Sequence, residues 1–205
     1  MSAFKPHGRA AACGLLGLDP GKRYLLFGAL GGAGSCRKGG DLLLQGIRRL
    51  VARAGTLRDV ELLILGESPP RELRDFGLPA HYRGRLHDDL SLALHYSAAT
   101  LFVAPSREDN LPNTVIEALA CDTPVVAFDI GGMPDMIRHK ETGWLATPCD
   151  VDDLAAGIVW ALDNRARMTG LMRGAAEANF APRSVADAYA RIYHRMIEER
   201  VRQTI

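Results

Sequence analysis

The strongest constraint on this chain is an alternation. Six short aliphatic or β-branched runs, Tyr24–Leu30, Val60–Gly66, Ala80–Leu86, Thr100–Ser106, Thr123–Asp129 and Gly143–Pro148, are separated by longer stretches that include helical patterns at 40–53, 89–99 and 112–121. Four of the runs are apolar enough to be buried on both faces, as parallel strands are. Strands that alternate with helices predict an α/β fold: a doubly wound, Rossmann-like parallel sheet of about six strands with helices on both faces and right-handed crossovers. From Asp150 onward the pattern is almost wholly helical. Asp150 is expected to be an N-cap, and Ser184–Arg200 reads as a long amphipathic helix with Val185, Ala188, Tyr189, Ile192 and Met196 as its apolar positions. The 205 residues are read as a single domain, with about 1–20 as an interdomain or N-terminal segment and about 183–205 as the C-terminal helix.

Composition narrows the function classes. A net charge of +1, with 47% hydrophobic and 24% charged residues, argues against a nucleic-acid surface and leaves room for a small phosphorylated ligand. The four cysteines, Cys13, Cys36, Cys121 and Cys149, form no C-x-x-C pair, so they are expected to be free thiols. No apolar run is long enough to span a bilayer and the N-terminus lacks a signal-peptide core, so a cytoplasmic location is expected.

In sheets of this kind ligands bind beyond the carboxyl ends of the strands, which singles out three loops. The first, "GALGGAGSCRKGG", carries Gly31 and Gly32, whose backbone can approach a phosphate closely, and ends in Arg37 and Lys38 just before a helix. It is neither a Walker loop nor a G-x-G-x-x-G fingerprint, and a merely solvated loop is the competing reading. The second, Pro105 to Pro112, leads into the stretch "EDNLPNTVIEALA", a helix with Pro112 expected in its first turn. Helical spacing puts Val115, Ile116, Leu119 and Ala120 on one face and Asn113, Thr114 and Glu117 on another. Asp109 and Glu117 then stand up to about 12 Å apart, with the free amides of the helix start between them, a span that suits a nucleotide-sugar. Spacing alone leaves a second reading open, with Asp109 capping a turn and Glu117 solvated. The third loop, "DIGGMPDMI", either approaches the ligand or makes a tight turn at Gly131 and Gly132.

The segment "PSREDNLPNTVIEALACDTPVVAFDIGGMPDMI", with "RKGGDLLLQGI" before it and "GWLATPCDVDDLAAGI" after it, resembles the C-terminal, donor-binding domain of the retaining glycosyltransferases of family 4, also called group 1, which have the GT-B fold. The likeness runs from about Leu25 to Leu162. It implies a nucleoside-diphosphate sugar as co-substrate, no cofactor and no metal, and a partner domain carrying the acceptor site for a carbohydrate or lipid-linked acceptor. Association at the inner membrane would come through that absent domain. The family's Glu-x7-Glu motif falls on Asp109 and Glu117. The resemblance then implies that Glu117 binds the ribose, Asp109 contacts the transferred sugar and Lys38 contacts the diphosphate. Further phosphate and sugar contacts would come from the stretch Asn110, Leu111, Pro112, Asn113 and Thr114, with Gly84, Arg85 and Leu86 beside the base. Two positions depart from the pattern. Asp109 is one methylene shorter than the family's Glu, so Glu108 is a candidate to share its role. Ala29 replaces a usual arginine, for which Arg37 is the candidate substitute. Lys38, Asp109 and Glu117 are the expected catalytic residues, and the isolated chain is expected to bind nucleotide but transfer little sugar. Two rivals are a nucleotide-sugar 2-epimerase half and a noncatalytic binding module.

Other features are assigned structural roles. Asp150-x-Asp152 is read as helix capping rather than a metal motif, His87-Asp88-Asp89 as a helix start, and Cys121 as a small core residue.

Overall fold

The structure is a computed structural model that describes residues 3–28, 36–53, 57–66 and 76–203. Six strands, β1 (Arg23–Gly28), β2 (Val60–Leu65), β3 (Ala80–Tyr82), β4 (Leu101–Ala104), β5 (Val125–Phe128) and β6 (Gly143–Ala146), form one sheet in the order β3-β2-β1-β4-β5-β6. Every pair is parallel, with Leu25 opposite Leu62 on one side and Leu101 on the other, and Phe102 opposite Val125. The interior strands β1, β2, β4 and β5 are the nearly continuous buried runs, whereas β3 and β6 at the edges are only partly covered. Apolarity on both faces therefore tracks position in the sheet, as parallel topology requires.

The helices are α1 (Arg9–Leu16), α2 (Gly40–Ala52), α3 (Asp89–Ala98), α4 (Asn113–Ala120), the single turn α5 (Met133–Met136), α6 (Val151–Met168), α7 (Leu171–Phe180) and α8 (Pro182–Gln203). On one side of the sheet α2 packs on α6; on the other, α1 packs on α3, α3 on α4 and α4 on α7. The strand order reverses between β1 and β4, the topological switch point at which sheets of this kind bind ligands beyond the carboxyl ends of their strands.

The first 20 residues, expected as an interdomain or N-terminal segment, include α1, which buries Ala12 and Cys13. Gly17, at φ 66, closes that helix, and Leu18 N–H donates to the Cys13 carbonyl at 2.9 Å. The strand predicted at 80–86 ends at Tyr82, since Gly84 turns the chain at φ 64. Pro112 stands outside the first turn of α4, as its N-cap residue, because its ψ of 121 is extended. The C-terminal half follows expectation, with Asp150 capping α6 through Oδ1 to the amides of Asp152 and Asp153 at 2.9 and 3.1 Å. Asp88 caps α3 in the same way, accepting from the Ser91 amide at 2.7 Å. Cys121 is a buried free thiol, pushed up to about 12 by that burial. Among the described residues no helix is long and apolar enough to cross a membrane.

Candidate functional site

The crevice is assembled from backbone first. Among the described residues between β1 and α2, Cys36–Lys38 form a 3-10 turn that leads into α2 through Gly39 at φ 69. Gly39 lies so close to the β4 loop that a Cβ here would sit 1.8 Å from the Pro105 carbonyl oxygen. Only glycine meets both demands, the left-handed φ and the close approach. Arg107, in the same β4 loop, donates its backbone N–H to the Arg37 carbonyl at 2.8 Å. Its guanidinium reaches the Cys36 carbonyl at 2.6 Å and pairs bidentately with Asp41 at 2.8 and 2.6 Å. The end of the first loop, Cys36–Gly39, is thus tied to the second.

The third loop supports the second. Gly132 N–H donates to the Asn110 carbonyl at 2.7 Å. Added Cβ atoms on Gly131 and Gly132 would fall 1.9 Å from the Asp109 carbonyl oxygen and 2.1 Å from that of Asn110. A tight turn forms here, with Gly131 at φ 50, and its small residues press on the backbone of Asp109 and Asn110.

This frame brings three sequence-predicted residues together. Lys38 Nζ donates to Asp109 Oδ2 at 2.6 Å, and an Arg37 terminal nitrogen lies 3.7 Å from the same oxygen. Arg37 also donates to the Glu108 carbonyl at 3.2 Å, so Glu108 takes part through its backbone while its side chain is exposed. Lys38 and Asp109 are 19% and 13% exposed at the side chain, close enough to solvent for a ligand to reach yet shielded enough to interact strongly. Beyond Asp109, Asn110, Leu111 and Asn113 are exposed, Thr114 is half-buried and Pro112 is buried. No side chain caps the start of α4; the Val115 amide donates to the Pro112 carbonyl at 3.0 Å, and the amides of Asn113 and Thr114 have no partner among the described residues.

Glu117 is not the solvated side chain of the competing reading. It is half-buried rather than open, because α4 lies against α3 and the Tyr96 hydroxyl donates to Glu117 Oε2 at 3.0 Å. Burial is the main cause of its carboxyl being held above the ordinary value; the Tyr96 hydrogen bond works the other way and the charge of Asp89 adds to the rise. Tyr96 is driven well above its usual range by its own burial and by Glu117.

The remaining expected residues are more scattered. Gly84, Arg85 and Leu86 follow edge strand β3, two positions from β1 in the sheet, with Arg85 exposed. Gly31 and Gly32 lie outside the described residues. The D-x-D pair is structurally engaged: Asp150 caps α6 and Asp152 pairs with Arg49 at 2.6 Å, while Asp153 accepts from Trp144 Nε1 at 3.0 Å. Sequence reasoning missed Arg107 and Tyr96. A basic residue directly after "PS" and a tyrosine at the end of a helix leading into a strand carry no local signal of what they will contact.

Comparison with known proteins bears on this geometry. Residues 22–164 match the family model described as glycosyl transferases group 1. The chain is 30% identical over 213 residues to D-inositol 3-phosphate glycosyltransferase 2 of Catenulispora acidiphila, covering 97% of this chain and 49% of that protein. Against the D-inositol 3-phosphate glycosyltransferase of Geodermatophilus obscurus it is 32% identical over 212 residues, covering 97% and 46%. The chain spans about half the length of the curated relatives it matches. Among solved structures, sucrose-phosphate synthase from Thermosynechococcus elongatus superposes with a TM-score of 0.77 at 26% identity, over 97% of this chain and 51% of that one. Anabaena HepE, solved in complex with UDP and glucose, superposes with a TM-score of 0.68 at 18% identity, over 94% and 54%, a likeness of fold. The matched family, the parallel six-stranded sheet and its relatives agree, and the chain belongs to the group 1 glycosyltransferases, its sheet forming one Rossmann-like half of a GT-B fold.

Proposed function

We propose that this chain is the donor-binding part of an enzyme that moves a sugar from a nucleoside-diphosphate sugar to an acceptor with retention of configuration. The observation that carries the reading is the meeting of Arg37, Lys38 and Asp109 at the strand-order reversal, beside an uncapped helix start. Two cations and oriented amides suit a diphosphate, and Asp109, once Lys38 turns to phosphate, is an acceptor for sugar hydroxyls. Glu117, one turn further along α4, would take the ribose diol, and Gly84–Leu86 would border the base. Leaving-group charge grows as the glycosidic bond breaks, so Lys38 and the α4 amides would lower the barrier by electrostatic preorganisation. No cofactor or metal is assigned a role.

The acceptor site is proposed to lie in a partner domain, in keeping with relatives about twice this length. Tyr189, Ile192 and Met196 on α8, each more than half exposed, would pack on that domain. Replacing Ile192 and Met196 with lysine should then leave nucleotide binding by this chain unchanged.

The direct test is thermal stability against UDP-, GDP- and ADP-sugars. A ligand at 100 times its dissociation constant adds about 2.7 kcal/mol, which should raise the melting temperature by roughly 5 °C or more. A flat response to every nucleotide would remove the basis of the proposal.

A further inference from the structure

Tyr96 has so far been given no role beyond its contact with Glu117, yet it is among the most tightly held side chains in the molecule. It is 1% exposed. Its ring stands edge-on to Phe102 of β4, with centroids 5.7 Å apart at 88°, and to Phe4 of the N-terminal segment at 6.3 Å and 65°. Its backbone carbonyl accepts from Thr123 Oγ1 at 2.7 Å. The ring is therefore fixed from several directions, and its hydroxyl has one acceptor, Glu117 Oε2. Among the described residues nothing donates to Glu117 Oε1.

A buried phenol needs an acceptor, and a backbone carbonyl would serve at less cost than a half-buried carboxylate. Here a carboxylate is used, and one of its two oxygens accepts from nothing among the described residues. We propose that Tyr96 is a positioning residue for nucleotide binding, its hydroxyl locking one oxygen of Glu117 so that the other is presented to the ribose diol of the donor. The proposal rests on the reading of Glu117 given above.

The surroundings explain why one hydrogen bond matters. From α3, Tyr96 and the carboxylate of Asp89 act on Glu117, and on its own helix the Cys121 thiol lies within electrostatic reach of both Glu117 and Tyr96. Phe4, Phe180 and Pro182, which share its cleft, bring no charge. Tyr96 is thus the neighbour that favours the ionised, accepting form of the carboxylate, against burial and Asp89.

The test compares UDP with 2′-deoxy-UDP, and GDP and ADP with their 2′-deoxy forms, by calorimetry on the full chain across pH. The wild-type chain should prefer the ribonucleotide, and Glu117→Gln should reduce that preference. Tyr96→Phe, which keeps the ring contacts, should cost about tenfold in ribonucleotide affinity, the scale of a hydrogen bond to a charged group. It should shrink the ribose preference, and the acid limb of binding should move to higher pH because the carboxylate loses the donor that favours ionisation. In a Glu117→Gln background Tyr96→Phe should add little.

Unchanged ribose preference and acid limb in Tyr96→Phe, with Glu117→Gln still deficient, would overturn the role of Tyr96 alone. Tight nucleotide binding by Glu117→Gln with full ribose preference would overturn the assignment of Glu117, and no binding by the wild-type chain would overturn both. Should Tyr96→Phe not fold, 3-fluorotyrosine in place of all five tyrosines strengthens the donor without removing it. The acid limb should then move to lower pH, and an unmoved limb counts against the proposal.

Discussion

Lys38 Nζ lies 2.6 Å from Asp109 Oδ2, an ion pair that joins the turn after β1 to the loop after β4 across the point where strand order reverses. Within the pair each charge offsets the other. A diphosphate drawing Lys38 away would free Asp109 for a sugar hydroxyl, so the two events are coupled. Asp109→Asn should therefore leave UDP, GDP or ADP binding intact or tighter, while abolishing the gain from the attached sugar. Lys38→Met should weaken all diphosphates by roughly tenfold or more, the loss expected of a charge-assisted hydrogen bond. Calorimetry with paired nucleotides and nucleotide-sugars checks both. Equal losses from Asp109→Asn on both ligand types would refute the division of roles.

Glu117 carries a cost in stability that depends on pH. Its carboxyl is raised in the folded chain, mainly by burial, so the folded state holds its proton more tightly than the unfolded state. Its contribution is most favourable below the unfolded value and declines as pH rises through the raised folded value. Glu117→Gln removes this cost while keeping an acceptor for Tyr96. It should raise the melting temperature at pH 7 to 8, with the gain fading below about pH 4, even as it weakens nucleotide and nucleotide-sugar alike. A variant less stable than wild type at neutral pH would contradict the argument.

Gly39 and Gly132 set the distance between loops. An alanine at 39 would place its Cβ 1.8 Å from the Pro105 oxygen at a φ of 69, and one at 132 would meet the Asn110 oxygen at 2.1 Å. Backbone must move in either case, and Gly39→Ala also adds conformational strain. Denaturant unfolding should show losses of about 2 kcal/mol or more for each. Nucleotide affinity should fall as well, since both displacements shift the backbone that carries Lys38 or Asp109.

Arg107 is expected to act through placement. It holds the Cys36 carbonyl and Asp41 while touching neither Lys38 nor Asp109 by its guanidinium. Its pairing with Asp41 is largely solvated, so Arg107→Ala should cost only about 1 kcal/mol of stability. Its hydrogen bond holds the Asp41 carboxyl below the usual range, and that small contribution is lost as pH falls through the depressed folded value. The larger effect should be on nucleotide affinity, because the turn bearing Arg37 and Lys38 loses a tether. Titration with UDP at fixed salt separates the two.

Much of this was legible before any coordinates. That four of the six runs are apolar enough for burial on both faces was legible, because a strand covered on both faces cannot alternate polar and apolar residues; the sheet order shows that the interior ones are β1, β2, β4 and β5. Helix ends were legible at Asp88 and Asp150, where a cap is a contact over two or three residues. Lys38, Asp109 and Glu117 were visible as charges at the mouths of strands. Helix α1 was not, since it carries no acidic first turn and ends on a glycine that local pattern reads as loop.

What only the tertiary structure decided is how those charges meet. Lys38 and Asp109 are 71 residues apart and Tyr96 and Glu117 are 21 apart, and each pair forms because crossover helices return the chain to neighbouring strands or helices. Local sequence sets the period of burial and the chemistry available at a strand end, which are properties of a few adjacent residues. Whether Glu117 is solvated or half-buried under Tyr96, and whether Gly132 faces a ligand or the back of Asn110, depends on packing between elements distant in the chain. That packing is settled by the register and order of the whole sheet.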